Sequence, residues 1–109
     1  MEIKVFQNAA FGTIRTMQDE KGEPLFCAKD VAEALGYKLA RKAIQDHVEE
    51  DDVLKRNLID SLGRKQRAIF INESGLYAHI LSSKLESAKR FKRWVTGEVL
   101  PAIRKQGGY

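Results

Sequence analysis

The side chains best suited to do chemistry in this chain are its cations, and they are concentrated in its second half. Residues 1–60 hold 9 lysines and arginines against 12 acidic residues, a net charge of −3, whereas residues 61–109 hold 10 against 3, a net charge of +7. Charge divided in this way lets a small domain present one positive face to a polyanion. The sequence therefore indicates a nucleic acid or an acidic protein surface as the partner.

The cations fall into three groups. The first consists of Lys84, Lys89, Arg90, Lys92 and Arg93, with Arg104 and Lys105 downstream. The second, at the tip of an expected hairpin, consists of Arg64, Lys65 and Arg67, and the third of Lys38, Arg41 and Lys42. Ammonium and guanidinium groups neutralise phosphates and release counterions, so we expect the first group to be the main DNA contact. A solvated helix face and a hairpin tip charged for solubility are the alternatives.

Catalysis and metal binding find little support in the residues. The single cysteine, Cys27, excludes an intramolecular disulfide and lies in an apolar run, where a thiol is usually inert. His47 and His79 have no recognisable nucleophile or carboxylate partner and, with Cys27, give no metal-ligand spacing. The acidic run over residues 49–52 is interpreted as a solvated turn facing away from DNA, because adjacent carboxylates diverge. We expect a protein that is not an enzyme and that uses no cofactor and no metal.

The elements that must position the cations begin with a small antiparallel sheet. Alternation of apolar and polar residues predicts strands over residues 3–6 and 12–17, and the apolar run 25–27 can return antiparallel to the second of them. From Ala28 the period becomes helical, with Asp30 in the first turn near the positive end of the helix dipole and Gly36 as the C-cap. Leu39, Ala43 and Ile44 predict a second short helix that runs into His47 and Val48.

The second half of the chain repeats this order of strands before helices. Residues 53–58 and 66–71 read as a hairpin, because they flank a polar connection that contains glycine. Asn72 is a good N-cap for a helix to Leu81, with an apolar stripe expected to pack on the core. That stripe is Leu76, Tyr77, Ile80 and Leu81.

Ser83 and Glu86 have the spacing of a capping box and introduce the last long helix. Its apolar positions Ala88, Phe91, Trp94, Val95, Val99 and Ile103 keep helical spacing, and Lys89, Lys92, Arg93 and Thr96 occupy another face. The aromatic pair could stack on bases, but its spacing favours core packing. Pro101 cannot donate a backbone bond to the carbonyl of Gly97, so we expect a kink or a break between residues 97 and 101.

Four stretches resemble the Bro-N domain of phage antirepressors and baculovirus Bro proteins, in family order and spacing over nearly the whole chain. They are Leu25–Tyr37, Ile69–Tyr77, Ala88–Val95 and Glu98–Arg104. The resemblance implies an α+β fold and DNA binding by an N-terminal module that is often joined to a separate C-terminal domain. It also permits action through protein contact, since antirepressors as a class can bind a repressor.

Together these features predict a single α+β domain over residues 1–109, with a small antiparallel sheet and hairpin packed against about four helices. The resemblance leaves open whether this domain stands alone or is the N-terminal part of a longer protein. Its apolar stretches are far shorter than the roughly 20 residues of a membrane-spanning helix, and no signal peptide opens the chain, so we expect a cytoplasmic protein of a bacterial host.

We expect a transcriptional regulator of the antirepressor type in a phage or prophage, which contacts double-stranded DNA through the basic C-terminal helix and the hairpin. The alternative from another class is an interaction module that binds a repressor or host factor through its basic face. A third is a module that targets an enzymatic domain. The oligomeric state stays open, a homodimer included.

Overall fold

The computed structural model describes residues 3–38, 40–59, 62–83 and 86–106. Its strands are β1 (Lys4–Asn8), β2 (Gly12–Gln18), β3 (Pro24–Cys27), β4 (Val53–Ile59) and β5 (Lys65–Asn72). Its helices are α1 (Ala28–Ala34), α2 (Ala40–His47), α3 (Glu73–Ser82), α4 (Glu86–Trp94) and α5 (Leu100–Gln106). A 3₁₀ turn (Glu50–Asp52) precedes β4, and a π-helical turn (Val95–Val99) joins α4 to α5. The predicted α+β class is confirmed.

All five strands belong to one antiparallel sheet in the order β1-β2-β3-β5-β4. The sequence predicts a hairpin separate from the N-terminal sheet, but β5 pairs with β3 and merges the two, with Phe26 opposite Ile71. Both side chains are fully buried, with Ile14 of β2, under the apolar residues of all five helices. On the other face of the sheet, Met17, Leu25, Cys27 and Phe70 form a smaller apolar cluster.

The junction between β3 and α1 is held by an ion pair between Arg15 and Asp30. The β2–β3 ladder ends at the pair Thr16 and Phe26. One residue beyond it, the Arg15 backbone N–H donates to Asp30 Oδ2 at 2.9 Å, and the guanidinium donates to both carboxylate oxygens at 2.9 and 3.1 Å. The hydrogen bond to Asp30 raises the pKa of the Arg15 guanidinium. Asp30, expected only to favour the helix dipole, therefore also fixes α1 to the sheet.

Helix α1 ends as the sequence predicts. Gly36 has φ +85°, its N–H donates to the Glu33 carbonyl, and the Tyr37 N–H donates to the Ala32 carbonyl, both at 3.0 Å. These two bonds form a Schellman motif, which satisfies carbonyls that the end of a helix leaves unpaired. The left-handed conformation at this turn explains the glycine.

Asn72 caps α3 as predicted, and it also engages the acidic turn. Its Oδ1 accepts the Gly75 N–H at 2.8 Å, while its Nδ2 donates to Asp52 Oδ1 at 3.0 Å. The interpretation of residues 49–52 as a wholly solvated turn is therefore wrong for Asp52, which is half-buried, whereas residues 49–51 are exposed. The amide of Asn72 needs an acceptor, and the 3₁₀ turn brings one to it.

The expected break near Pro101 is a change of helix type. The chain passes from α4 into α5 through the π-helical turn, in which the Leu100 N–H donates to the Val95 carbonyl. Pro101 then lies in the first turn of α5, where its missing N–H is tolerated. Val95, Val99, Leu100 and Ile103 stay buried through the turn.

Of the described helices, none combines the length and apolar character needed to cross a bilayer.

Replacing Asp30 by Ala should destabilise the domain. The change removes three hydrogen bonds to a carboxylate that is 9% exposed, and bonds to charged groups contribute about 1.5–3 kcal/mol each in mutational series. Because Arg15 can rehydrate, we expect a net loss of about 2–3 kcal/mol in urea unfolding. Glu33→Ala, at an exposed position of the same helix, is the control; equal midpoints for the two variants would contradict the structural role of Asp30.

Two glycines should respond in opposite directions to alanine. A Cβ on Gly75 would lie 3.0 Å from Val48 Cγ1, 3.1 Å from Asp52 Cβ and 3.3 Å from Ile71 Cβ, whereas a Cβ on Gly97 meets nothing within 4 Å. Overpacking costs typically about 1–3 kcal/mol, and Ala in an open helical position gains about 0.5–1 kcal/mol over Gly. Thermal unfolding should therefore show a lower Tm for Gly75→Ala and an equal or higher Tm for Gly97→Ala. A stabilised Gly75→Ala variant would show that the contact is not tight.

Candidate nucleic-acid interface

Helix α4 separates its apolar and cationic residues as predicted. Ala88, Phe91 and Trp94 are buried in the core. The exposed positions of the helix include Lys89, Arg90, Lys92 and Arg93. Lys84, which belongs to the same predicted group, lies outside the described residues. The helix therefore presents four cations to solvent from an anchored backbone, which suits contact with phosphates.

The aromatic residues of α4 are part of the core. Phe91 is fully buried and Trp94 is 8% exposed. Phe11 packs edge-on against Phe91 and stacks on Trp94, with ring centroids 5.3 and 6.0 Å apart. The indole N–H donates to Glu98 Oε2 at 3.0 Å. Core packing is confirmed for both residues, and neither ring face is available to stack on a base.

Two residues near the α4 group differ from expectation. Arg104 Nη2 lies 2.9 Å and 3.2 Å from the two carboxylate oxygens of Glu73, so its charge is balanced within an ion pair between α5 and α3. Leu81, predicted to pack on the core, is 79% exposed. It lies beyond the part of α3 that packs through Leu76 and Ile80, and with Tyr77, Ile80 and Lys92 it lines a shallow groove.

The β4–β5 hairpin divides its cations between its two faces. The register pairs Lys55 with Ile69 and Asn57 with Arg67, and residues directly opposite each other in an antiparallel ladder point to the same face. Arg67 and Lys55 therefore lie on the face of Ile69, which packs on the helix-covered core. Alternation puts Lys65 on that face too, and Arg56 on the opposite one.

An open cleft separates that face of the hairpin from α2. Its walls are formed by Ile44 and Gln45 from α2, by Val48 and Glu50 from the segment that follows α2, and by Val53, Lys55, Arg67 and Ile69 from the hairpin. Of the second basic group, Arg67 lines this cleft beside Lys55. Lys38, Lys42, Arg64 and Lys65 are exposed. Arg41 is in the first turn of α2, and its side chain is outside what the structure describes.

Lys55 is a cation outside the three basic groups recognised in the sequence. It lies in β4 rather than in one of the dense basic groups, so counting charges along the chain passed over it. The signal was the strand period of two, because Val53, Lys55 and Asn57 must share a face. That face meets α2 only once the hairpin is attached to β3 through β5.

Cys27 and His79, which were considered for catalysis, are both buried in the fold. Cys27 is 2% exposed, and its sulfur accepts a hydrogen bond from Arg15 Nη2 at 3.2 Å. His79 is fully buried and stacks on the ring of Tyr37 with centroids 5.0 Å apart. The His47 side chain lies outside what the structure describes. Within the described residues, no three His, Cys, Asp or Glu side chains are grouped to hold a metal ion.

The fold and its surfaces define a small α+β domain with an exposed cationic helix and a basic cleft. The family model for the BRO family, N-terminal domain (Bro-N) matches residues 13–101. The chain therefore belongs to the Bro-N family, as its resemblance indicated.

Relatives with this domain occur in bacteria and in viruses. The chain is 45% identical over 96 residues to an uncharacterized protein of Haemophilus influenzae, which covers 88% of this chain and 47% of that protein. It is 38% identical over 103 residues to a Bro-N domain-containing protein of Invertebrate iridescent virus 6, covering 79% of this chain and 25% of the viral protein. The chain thus spans half or less of these relatives. No solved structure matches it.

Cys27 should be unreactive in the folded protein. Burial raises the pKa of its thiol, so at about pH 8 a smaller fraction of Cys27 is thiolate than in a free cysteine. Burial also keeps a thiol reagent in solution from reaching the sulfur. A disulfide-exchange reagent should label the native chain many times more slowly than the chain in denaturant. Rapid labelling without unfolding would contradict the burial of Cys27 in the sheet.

Proposed function

We propose that this domain binds double-stranded DNA and regulates transcription in a phage or prophage, in the manner of an antirepressor. The observation that carries the proposal is the face of α4, where four exposed cations lie on a helix whose opposite side is buried in the core. Each phosphate contact releases condensed counterions when it forms, and cations on a fixed helix make such contacts with little loss of backbone entropy. Membership of the Bro-N family supports the same function.

The hairpin and α2 extend the proposed surface. Further phosphate contacts would come from Arg64, Lys65 and Arg67 on the hairpin, from Arg41 and Lys42 in the first turn of α2, and from Lys38 just before it. A β-ribbon can enter or straddle a groove of the duplex. The domain would act without catalysis, as the N-terminal DNA-binding module of a longer protein.

A second candidate function, docking of a repressor or host protein, is favoured by the groove between α3 and α4. Leu81 is 79% exposed there, and the half-buried Tyr77 continues the apolar lining beside Lys92, over the buried Ile80. A DNA-binding surface has no need of such a patch, whereas protein interfaces combine an apolar centre with a charged rim. The two candidates differ in their response to a duplex.

The α4 contact predicts a specific salt dependence. Binding of a labelled random-sequence duplex, followed by fluorescence anisotropy, should weaken as salt rises. In the variant Lys89→Ala, Lys92→Ala, Arg93→Ala the slope of log K against log salt should become shallower by about 2–3, because each phosphate contact contributes about 0.9.

The control removes the same charge from another part of the chain. Lys4→Ala, Lys21→Ala, Lys29→Ala lowers the net charge equally but touches none of the three basic groups, so its slope should stay close to the native value. Equal slopes for the two triple variants would remove the assignment to α4. Failure of the native chain to bind at low salt would reject DNA binding and favour the protein-docking function.

A further inference from the structure

The exposed faces of α4 and α2 differ in chemistry. The cations of α4 can neutralise phosphates, but phosphates carry no sequence information. The exposed positions of α2 include Lys42, Gln45 and Asp46, which together supply a cation, an amide and a carboxylate. These groups match base edges: lysine donates to guanine, glutamine pairs with adenine through two bonds, and aspartate accepts from cytosine.

The packing of α2 leaves this mixed face open. Ala43 and Ile44 are 5% and 7% exposed and turn inward, and residues 42, 45 and 46 have the spacing of one helical face. Helix α2 packs against α1, and the short connection between them contains the left-handed Gly36. In DNA-binding helix-turn-helix proteins, where two helices are joined by a short turn that often contains glycine, the second helix lies in the major groove.

Across the cleft from α2, the hairpin provides cations for the sugar-phosphate backbone. Gln45, Lys55 and Arg67 line the cleft together with Glu50, so its two cations outnumber its one carboxylate. If α2 lies in the major groove of a duplex, one of the two phosphodiester strands that border this groove comes close to the hairpin. An α-helix with its side chains is about 10–12 Å across, which fits the roughly 12 Å width of the major groove. The cleft thus combines a groove-sized helix with a basic ribbon beside it.

We propose that α2 reads the base sequence, with Gln45 as the principal residue that contacts bases, and that Lys55 and Arg67 hold the adjacent phosphodiester strand. The inference rests on the proposed DNA-binding function and assigns different kinds of DNA contact to α4 and α2. Helix α4 supplies affinity that is independent of sequence, and α2 supplies specificity.

The experiment begins with selection of the preferred duplex from a randomised pool by the native chain. Binding of the most enriched duplex and of a scrambled duplex of equal composition is then measured over a salt series. Gln45→Ala should reduce the ratio of the two affinities about tenfold or more and leave the salt slope unchanged, because a neutral residue releases no counterion. Lys89→Gln, the control on α4, should weaken both duplexes equally and keep the ratio.

The role of the hairpin is tested with charges from its two faces. Lys55→Gln with Arg67→Gln should make the salt slope shallower by about 1.8, at about 0.9 per contact. Arg56→Gln, next to Lys55 but on the opposite face, should leave it unchanged. Equal salt slopes for the Lys55→Gln, Arg67→Gln double variant and for Arg56→Gln would overturn the placement of a phosphodiester strand in the cleft.

Two further outcomes separate this inference from the proposed function. Base reading by α2 would be overturned, with DNA binding intact, if Gln45→Ala kept the native ratio of affinities for the enriched and scrambled duplexes. The same would follow if the native chain bound random duplex but selection enriched no sequence. A native chain that binds no duplex would overturn DNA binding itself, and the inference with it.

Discussion

The carboxylate of Asp30 determines how α1 leaves the sheet, and the position of α2 depends on that direction. Strand β3 is central in the sheet and runs into α1 without an intervening loop, so the direction of α1 is decided at this junction. Asp30 accepts the backbone N–H that lies beyond the end of the β2–β3 ladder and also binds the Arg15 guanidinium. An unpaired buried N–H would be costly, so the bond opposes any other exit of the chain from β3. Helix α2 packs on α1 and thus inherits this orientation.

The cationic surface of α4 depends on the core in a similar way. Phe91 and Trp94 anchor the helix against Phe11, and the π-helical turn lets the chain pass Pro101 while the apolar residues after it remain buried. The ion pair between Arg104 and Glu73 then joins α5 to α3. A helix fixed along its apolar side presents its cations with little loss of backbone entropy when a polyanion binds.

The cleft beside α2 shows how a sheet can sort charges that are neighbours in sequence. Lys55 and Arg56 are adjacent, yet the pleat directs one toward α2 and the other to the opposite face. Because β4 and β5 continue beyond the part of the sheet that is paired with β3, their outer portion offers cations to solvent. The hairpin therefore contributes both to the core, through Ile69 and Ile71, and to a charged surface.

The sequence by itself determined the order of strands and helices, the Gly36 and Asn72 caps, the change near Pro101 and the family. These features follow from interactions within a few residues, through backbone periodicity, turn chemistry and the missing N–H of proline. Only the tertiary structure decided that Asp30 binds Arg15, that Asp52 binds Asn72 and that Arg104 binds Glu73, since these partners are 15, 20 and 31 residues apart. It also decided that α2 faces Lys55 and Arg67. Contacts between distant segments depend on strand pairing and helix packing, which no local pattern specifies.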